Sequence, residues 1–351
     1  MLKMIFCSVL VLVALTSAQA FVGGRCCQTP STSSPLVTSS TATTTASLST
    51  SRTCLSAAPA DRVHILETDE DVYEAIHHIV LNAAKDALLE KGHFRLAIPG
   101  GSVLKCLSTL EADWKLQSHT TVAFVNHKCV DVTDISASIE AQARDKFLTK
   151  WGLGGDHILS LTGSGDAAFE AEQYEALLRQ VPEGDIAAKL VQDEDGYPIF
   201  DLMLVGVGDD GHIGSLYPNR DEINVEDRWV VPVDMKDPPS ISMTLPLMQR
   251  AKRTVILAAG QSEKYPKGKA DAMYKAIADE SVTAQDFPAS ALREHAVWIL
   301  DQANASELEG FSLSNIHKAV DDACADPYSD FRRARGWFME QDKKGLMQAA
   351  E

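Results

Sequence analysis

The chain has 351 residues, which suits one large domain or two small ones, and its content of hydrophobic and charged residues is ordinary for a globular protein. Its formal net charge of −17 argues against general nucleic-acid binding, because phosphate backbones attract basic surfaces. A small anionic ligand is compatible with this charge, since a few local cations and backbone N–H groups can hold it against the overall field.

The first 60 residues differ from the rest, because no Asp or Glu precedes Asp61. Residues 1–20 combine one lysine, an apolar run and small residues, as a signal peptide does. Residues 21–60 are rich in Ser and Thr and resemble a transit segment. This order, with Phe21 directly after Ala20, resembles the bipartite presequences of algae with secondary plastids. It predicts a plastid location with no membrane association of the mature form, and a secreted protein with a Ser/Thr-rich stalk is the alternative.

Cysteine usage supports a reducing compartment. Beyond the presequence only Cys106, Cys129 and Cys324 remain, an odd number without metal-like spacing. A disulfide framework is therefore not expected, and no Cys/His constellation suggests zinc.

From Asp61 onward, apolar strand-like runs alternate with amphipathic helical patterns. This alternation predicts an α/β fold, with a mostly parallel sheet and helices on both faces. Strands are predicted at 61–66, 94–98, 121–125, 157–161, 200–205, 229–233, 240–245, 255–259 and 297–300. Helices are predicted from about 69 to 91, from 103, at 136–151 and at 166–181. We expect one catalytic domain over 61–312 and a charged, helical C-terminal tail over 313–351.

Three predicted strands end in groups suited to binding an anion. Gly100, Gly101 and Ser102 lie between a strand and a helix, where backbone N–H groups and the helix dipole favour negative charge. The other two groups are Asn126, His127 and Lys128 after the strand at 121–125, and Lys264, Lys267 and Lys269 after the strand at 255–259. A solvated charged loop is the alternative for the three lysines.

The apolar run at 200–205 ends in a glycine-rich turn that contains Asp210 and His212. Its glycines match the G-x-G-x-x-G pattern of dinucleotide-binding proteins. Neighbouring aspartates would repel a pyrophosphate, and Pro218 leaves little room for the expected helix, so nucleotide binding is disfavoured. A histidine beside a carboxylate at a strand end instead indicates a catalytic pair, with a structural histidine as the alternative.

At this turn the residues become recognisable. The segment FDLMLVGVGDDGHIGSLYPN closely resembles the signature of 6-phosphogluconolactonases. IPGGS resembles the phosphate turn of the same family, SISMTLPLMQRAKRTVILAAG its T-L-T-x-P segment, and AVWILDQANAS its W-x-x-D-x-A-A-S segment. The likeness runs in the expected order from roughly residue 63 to 310.

The resemblance implies hydrolysis of 6-phosphogluconolactone in the oxidative pentose phosphate pathway, with no metal and no cofactor. It also implies a three-layer α/β/α sandwich with a Rossmann-like sheet. By this resemblance His212 activates water, Asp210 orients His212, and the turn from Gly100 to Ser102 holds the phosphate. Further candidates for binding the substrate are Asn126, His127, Lys128, Gly211, Lys264 and Lys269.

The chain departs from the family pattern at its cations. The family has D-E-R where this chain has Asn126, His127 and Lys128, and a lysine lacks the bidentate fork of arginine. Where the family has a second arginine, this chain has Ser240. A lysine of the 264–269 loop is a candidate to replace the missing positive charge. Two other functions stay open. These are a sugar-phosphate-binding protein without catalysis and a sugar-phosphate isomerase or deaminase, which the loss of the family aspartate at Asn126 disfavours.

Overall fold

The computed structural model describes residues 57–111, 119–179, 193, 196–261 and 266–325. The signal peptide predicted at 1–20, nearly all of the transit-like segment and Lys264 lie outside these residues. Within them, no helix combines the length and the apolar character that crossing a membrane requires.

The order of strands and helices is largely the one that the hydrophobic pattern predicts. The strands are β1 (Val63–Leu66), β2 (Phe94–Ile98), β3 (Thr120–Phe124), β4 (Asn126–Lys128), β5 (Leu202–Val205), β6 (Val230–Val233), β7 (Ser240–Met243), β8 (Thr254–Ala258) and β9 (Ala296–Asp301). The α-helices are α1 (Asp69–Lys91), α2 (Ser102–Ser108), α3 (Ile139–Ala143), α4 (Ala167–Arg179), α5 (Leu245–Gln249), α6 (Ala270–Ile277) and α7 (Ile316–Cys324).

Six strands form a fully parallel sheet in the order β1-β9-β8-β5-β2-β3. From β2 the chain winds outward to β3, whereas from β5 it winds in the opposite direction to β8 and β9. The winding therefore reverses between β2 and β5, where Leu96 is in register with Leu202. In open α/β sheets, ligands bind beyond the carboxyl ends of the strands at such a reversal.

Helices cover both faces of this sheet, so the predicted three-layer α/β/α architecture is confirmed. Alternate residues of one strand face opposite sides, because the side-chain period of a strand is two. In β5, Leu202 and Leu204 belong to a core with α1, α2 and α7, while Met203 and Val205 belong to a second core with α4 and α6.

Helix α1 shows how local sequence sets the ends of a helix. Thr68 accepts a hydrogen bond from the backbone N–H of Asp71, whose side chain accepts one from the backbone N–H of Thr68. This reciprocal capping satisfies two N–H groups that would otherwise lack partners. Gly92 ends the helix in the left-handed region, with φ 73°, which glycine adopts without steric cost.

A buried ionic contact joins the starts of β2 and β5. The Asp201 carboxylate, 1% exposed, accepts the backbone N–H of Arg95 at 2.8 Å and pairs with the Nζ of Lys91. The backbone N–H of Asp201 in turn donates to the carbonyl of Arg95 at 3.0 Å. These contacts fix β2 and β5 side by side, and the site lies at the other end of both strands.

Three local predictions need correction. The strand predicted at 157–161 is wrong, since Gly155–His157 is a short 3-10 helix and Ile158 forms only an isolated bridge to Val122. The helix predicted from 136 begins at Ile139 and becomes a π-helix at Arg144–Leu148. The strands β4, β7 and β6 form a separate antiparallel sheet, which the alternating pattern did not distinguish from the main one.

The segment that the sequence assigns to a C-terminal tail is partly described. Ser314 donates its backbone N–H to the carbonyl of Ile65 at 2.8 Å. Helix α7 follows and buries Ala319, Val320 and Ala323. Residues 313–325 therefore pack on the domain, whereas 326–351 lie outside the described residues.

Candidate active site

Two turns lie at the point where the winding of the sheet reverses. One runs from Gly100 to Ser102 after β2, and the other runs from Gly206 to Tyr217 after β5. Because these strands are parallel neighbours, both turns leave the same edge of the sheet. The sequence predicts this meeting of a glycine–serine turn and a histidine turn.

The second turn folds tightly around its glycines. The N–H of Gly208 donates to the carbonyl of His212 at 2.8 Å, and the N–H of Gly211 donates to the carbonyl of Gly208 at 3.0 Å. Gly211 has φ 86°, and a Cβ there would lie 2.4 Å from the Phe287 ring. The N–H of Gly211 has a partner within the turn, and the residue shapes the backbone there. A contact of Gly211 with the substrate stays a prediction.

Asp210 and His212 form a pair within this turn. The Oδ1 atom of Asp210 lies 2.5 Å from Nδ1 of His212 and also accepts the backbone N–H of His212 at 3.1 Å. Partial burial raises the pKa of Asp210, but the hydrogen bonds and the charge of His212 outweigh it and keep this pKa below its usual value. The carboxylate is therefore ionised at neutral pH. It accepts the proton on Nδ1 and leaves the lone pair of Nε2 for another proton.

The imidazole of His212 has an aromatic neighbour that the sequence did not indicate. Its ring centroid lies 4.8 Å from that of Tyr217, and the side chain of His212 is 30% exposed. Lys236 donates to the hydroxyl of Tyr217 at 3.0 Å, and its Nζ lies 4.2 Å from the centre of that ring. The ring of Tyr217 therefore supports one side of the imidazole while the imidazole still reaches solvent.

The first turn provides backbone donors and a hydroxyl. Gly101 has φ 74° and caps α2, and a Cβ on Gly100 would lie 3.0 Å from Ile139. Ser102 is exposed. Within the described part of the chain, no backbone carbonyl accepts the N–H of Gly100 or Gly101. These donors remain for a ligand or water.

A cavity of about 250 Å³ opens beside this turn. Its lining includes Ser102, Lys105 and Lys269 together with Tyr73 and Asn304. A hydroxyl and two ammonium groups around one small cavity are suited to an anion. His212 does not line this cavity. Lys269, which does, contacts the turn that contains His212.

Lys269 links the cavity to the histidine turn. Its Nζ donates to the carbonyl of Val207, and Asp209 and Asp210 act on its charge. Burial lowers the pKa of Lys269, and the two carboxylates only partly counteract this. Its backbone N–H donates at 2.7 Å to Asn304, whose amide also bonds to Asp301 and to the carbonyl of Gly260. Neither Asp301 nor Asn304 was predicted for the site, although both lie in the family-like segment near the end of the domain.

The other two predicted lysines of this loop do not share that position. The Nζ of Lys267 is exposed and pairs with Glu307 at 3.1 Å. Lys264 lies outside the described residues. Among the described lysines of the loop, only Lys269 lines the cavity.

The residues predicted at the end of β3 form the short strand β4. Asn126 donates to the hydroxyl of Ser215, and Lys128 is exposed opposite Ser240 in the β4–β7 ladder. The two positions where the family carries arginines are therefore neighbours across one ladder. Neither Lys128 nor Ser240 lines the cavity at Ser102.

The prediction that His127 binds the substrate needs correction. The side chain is fully buried, its Nδ1 lies 2.7 Å from the carbonyl of Lys128, and its Nε2 accepts the backbone N–H of Glu140 at 3.0 Å. Both ring nitrogens are thus occupied within the protein. The alternation of side chains along β4 explains this, because His127 points to the face opposite Asn126 and Lys128.

A larger cavity of about 790 Å³ has less suitable chemistry for an anion. Its two arginines are already neutralised, since Arg220 pairs with Glu222 and Asp234 and Arg228 pairs with Glu175. Among the described residues, no group of three or more His, Cys, Asp or Glu side chains could hold a metal ion.

The fold and the site define a three-layer α/β/α protein with a Rossmann-like sheet, a histidine–carboxylate turn and an adjacent lysine-lined cavity. The chain belongs to the family described as glucosamine-6-phosphate isomerases/6-phosphogluconolactonase, which matches residues 67–300.

Individual relatives agree with this assignment. The chain is 28% identical over 264 residues to the probable 6-phosphogluconolactonase 1 of Oryza sativa subsp. japonica, covering 71% of this chain and 85% of that protein. It is also 28% identical over 254 residues to the probable chloroplastic 6-phosphogluconolactonase 3 of Oryza sativa subsp. indica, covering 70% and 75%. The solved 6-phosphogluconolactonase of Trypanosoma cruzi superposes with a TM-score of 0.58 at 19% identity, covering 73% of this chain and 98% of that one. At this identity the superposition shows a shared fold.

Proposed function

We propose that the protein hydrolyses 6-phospho-D-glucono-1,5-lactone to 6-phosphogluconate. The observation that carries this proposal is the contact of Asp210 with His212, next to a cavity lined by Ser102 and Lys269. The family and the named relatives support it. The reaction requires a general base near a phosphate-binding pocket, and we assign these two roles to His212 and to the cavity at Ser102.

In the proposed mechanism the anion cavity holds the 6-phosphate and His212 acts on water. Nε2 of His212 takes a proton from a water molecule while the oxygen of that water bonds to C1 of the lactone. The bond between C1 and the ring oxygen then breaks, and the imidazolium returns the proton to that oxygen. Asp210 stabilises the imidazolium throughout, because it accepts the Nδ1–H. No external acid, metal or redox partner is needed.

The direct test is lactone hydrolysis by the purified chain from Asp61 onward, compared with His212→Ala. We expect kcat to fall about 100-fold or more, the usual contribution of a general base. His78→Ala is the matched control, since His78 is an exposed histidine on α1. Equal activity of the wild type and His212→Ala would contradict the proposal.

The altered cations favour one alternative function, a sugar-phosphate-binding protein without catalysis. Its motivating observation is Ser240 opposite Lys128, where the family carries two arginines. Calorimetry that shows tight binding of 6-phosphogluconate, together with no turnover, would identify such a protein. A deaminase would release ammonia from glucosamine-6-phosphate, but the amide of Asn126 cannot carry the proton that an aspartate shuttles.

We also propose that the protein acts in a plastid, reached through the presequence at 1–60. The support is the Ser/Thr-rich, acid-free composition of these residues and the chloroplastic rice relative.

A further inference from the structure

The cavity beside Ser102 contains a lysine that neither the motifs nor the family resemblance indicates. Lys105 lies in α2, three residues after Ser102, so both side chains occupy neighbouring positions on one helix face. Lys269 lines the same cavity from the loop after β8. The cavity therefore has one ammonium group on the β2 side and one on the β8 side.

The charge of Lys105 is available to a ligand. Among the described residues, no carboxylate forms an ion pair with it. Its Nζ lies 5.5 Å from the centre of the Tyr73 ring, as in a cation–π contact. Tyr73 is half-buried on α1 and lines the cavity as well, so it holds the lysine at the cavity wall.

Lys269 by itself is poorly suited to neutralise a phosphate dianion. Asp209 and Asp210 already act on its charge, and its Nζ donates to the carbonyl of Val207. A phosphomonoester carries close to two negative charges near neutral pH. The replacement of an arginine by Ser240 removes one cation of the family pattern, and Lys128 does not line the cavity.

We propose that Lys105 is the second cation that binds the substrate phosphate and that Tyr73 is its positioning residue. Ser102, Lys105 and Lys269 then surround the phosphate from two sides. This proposal rests on the proposed function, and it makes Lys105 the residue that selects phosphorylated over non-phosphorylated lactones.

The test measures kcat/KM for 6-phosphogluconolactone and for glucono-1,5-lactone, which lacks the phosphate. Lys105→Met should lower kcat/KM for the phosphorylated substrate about tenfold or more and leave that for the other lactone within about twofold, since a charge-assisted hydrogen bond is lost. Lys105→Arg should retain most of the activity because it keeps the charge. Lys267→Met is the matched control, an exposed lysine already paired with Glu307.

Tyr73→Leu, which removes the aromatic ring, separates positioning from a purely structural role. Removing the ring should raise KM for the phosphorylated substrate by about two- to fivefold without changing kcat, because the contact that holds Lys105 is lost. In the Lys105→Met background the same change should have no further effect, because the ring acts through Lys105. The positioning role would be contradicted if the Tyr73 substitution lowered activity further in the Lys105→Met background and lowered activity on the non-phosphorylated lactone to the same extent.

Binding experiments distinguish a failure of this proposal from a failure of the proposed function. Inorganic phosphate and 6-phosphogluconate should bind the wild type, and both should bind Lys105→Met about tenfold more weakly in calorimetry. If the wild type binds 6-phosphogluconate but does not hydrolyse the lactone, the proposed function fails. The comparison of binding by the wild type and by Lys105→Met still tests the role of Lys105. Unchanged affinity in Lys105→Met, or a loss confined to Lys128→Met, would overturn the assignment to Lys105.

Discussion

At the scale of single residues, the position of His212 depends on the absence of a side chain at Gly208. A Cβ at this position would lie 2.1 Å from Nδ1 of His212 and 2.7 Å from Oδ1 of Asp210. These distances are far below van der Waals contact, so any other residue must displace the pair. The two glycines before the aspartates therefore have different tasks, because Gly206 has open space where its Cβ would be.

We predict that Gly208→Ala lowers kcat about 100-fold, since misplacing a general base removes its contribution to the rate. Gly206→Ala is the matched control and should remain active. Steady-state kinetics provides the measurement, with circular dichroism to show that both variants are folded. Comparable activity of the two variants would show that His212 tolerates displacement.

The lowered pKa of Lys269 predicts how binding depends on pH. Burial favours the neutral amine, so this lysine loses its charge at a lower pH than the usual value of 10.5. The affinity for 6-phosphogluconate should therefore be highest near neutral pH and begin to weaken on the alkaline side before an ordinary lysine titrates. Calorimetry at increasing pH measures this.

The control for the pH dependence is Lys269→Met, which should bind more weakly near neutral pH and lack this early decline. A wild-type affinity that stays constant until ordinary lysines titrate would show that Lys269 is not in contact with the phosphate.

At the scale of secondary-structure elements, β2 and β5 determine where the two turns meet. Asp201 holds the starts of these strands together through Arg95 and Lys91, and its carboxylate is 1% exposed. Removing one member of a buried ionic group leaves the other charges uncompensated, which costs far more than the loss of a surface pair.

We predict that Asp201→Ala lowers the free energy of unfolding by about 3–5 kcal/mol, measured by urea denaturation. Asp201→Asn keeps an acceptor for the N–H of Arg95 and should be destabilised less. Asp234→Ala is the surface control, because the Asp234 side chain is 83% exposed in its pair with Arg220, and its denaturation midpoint should barely move. Similar midpoints for the Asp201 and Asp234 variants would refute a structural role for the buried contact.

At the scale of the whole molecule, the net charge of the chain is opposite in sign to the charge at the site. The chain has 49 acidic and 32 basic residues, yet the cavity at Ser102 presents Lys105 and Lys269. An anionic substrate is therefore bound by local cations rather than attracted by the overall field. The residues before Asp61 contain no Asp or Glu, so their composition differs from that of the rest of the chain.

We predict that residues 1–60 fused to a fluorescent protein direct it to the plastid of an alga with a secondary plastid. A fusion with residues 1–20 alone should enter the secretory route but not the plastid, because it lacks the transit-like segment. Fluorescence microscopy decides between these locations. Secretion of the 1–60 fusion would support the alternative of a secreted protein.

The site could be predicted from the sequence where a local motif fixes its own geometry. The apolar run at 200–205, the glycines after it and the spacing of Asp210 and His212 indicated a strand and a tight polar turn, and the structure contains both. Turn residues specify backbone conformation within a few positions, so such features are readable without tertiary contacts. His127 was misjudged because three consecutive polar residues do not reveal which face of β4 is buried.

The α/β class, most of the strands, the histidine turn and the glycine–serine turn could all be predicted from the sequence, because each follows from hydrophobic period or turn chemistry within a short segment. The cations that surround the cavity could not be predicted in this way, and the folded structure was needed to identify them. Lys105 and Lys269 are far apart in the chain, and the order of the strands brings them to one cavity while the loop beyond Lys267 turns that residue outward. The physical reason is that a side chain's partners depend on long-range packing, which local sequence does not encode.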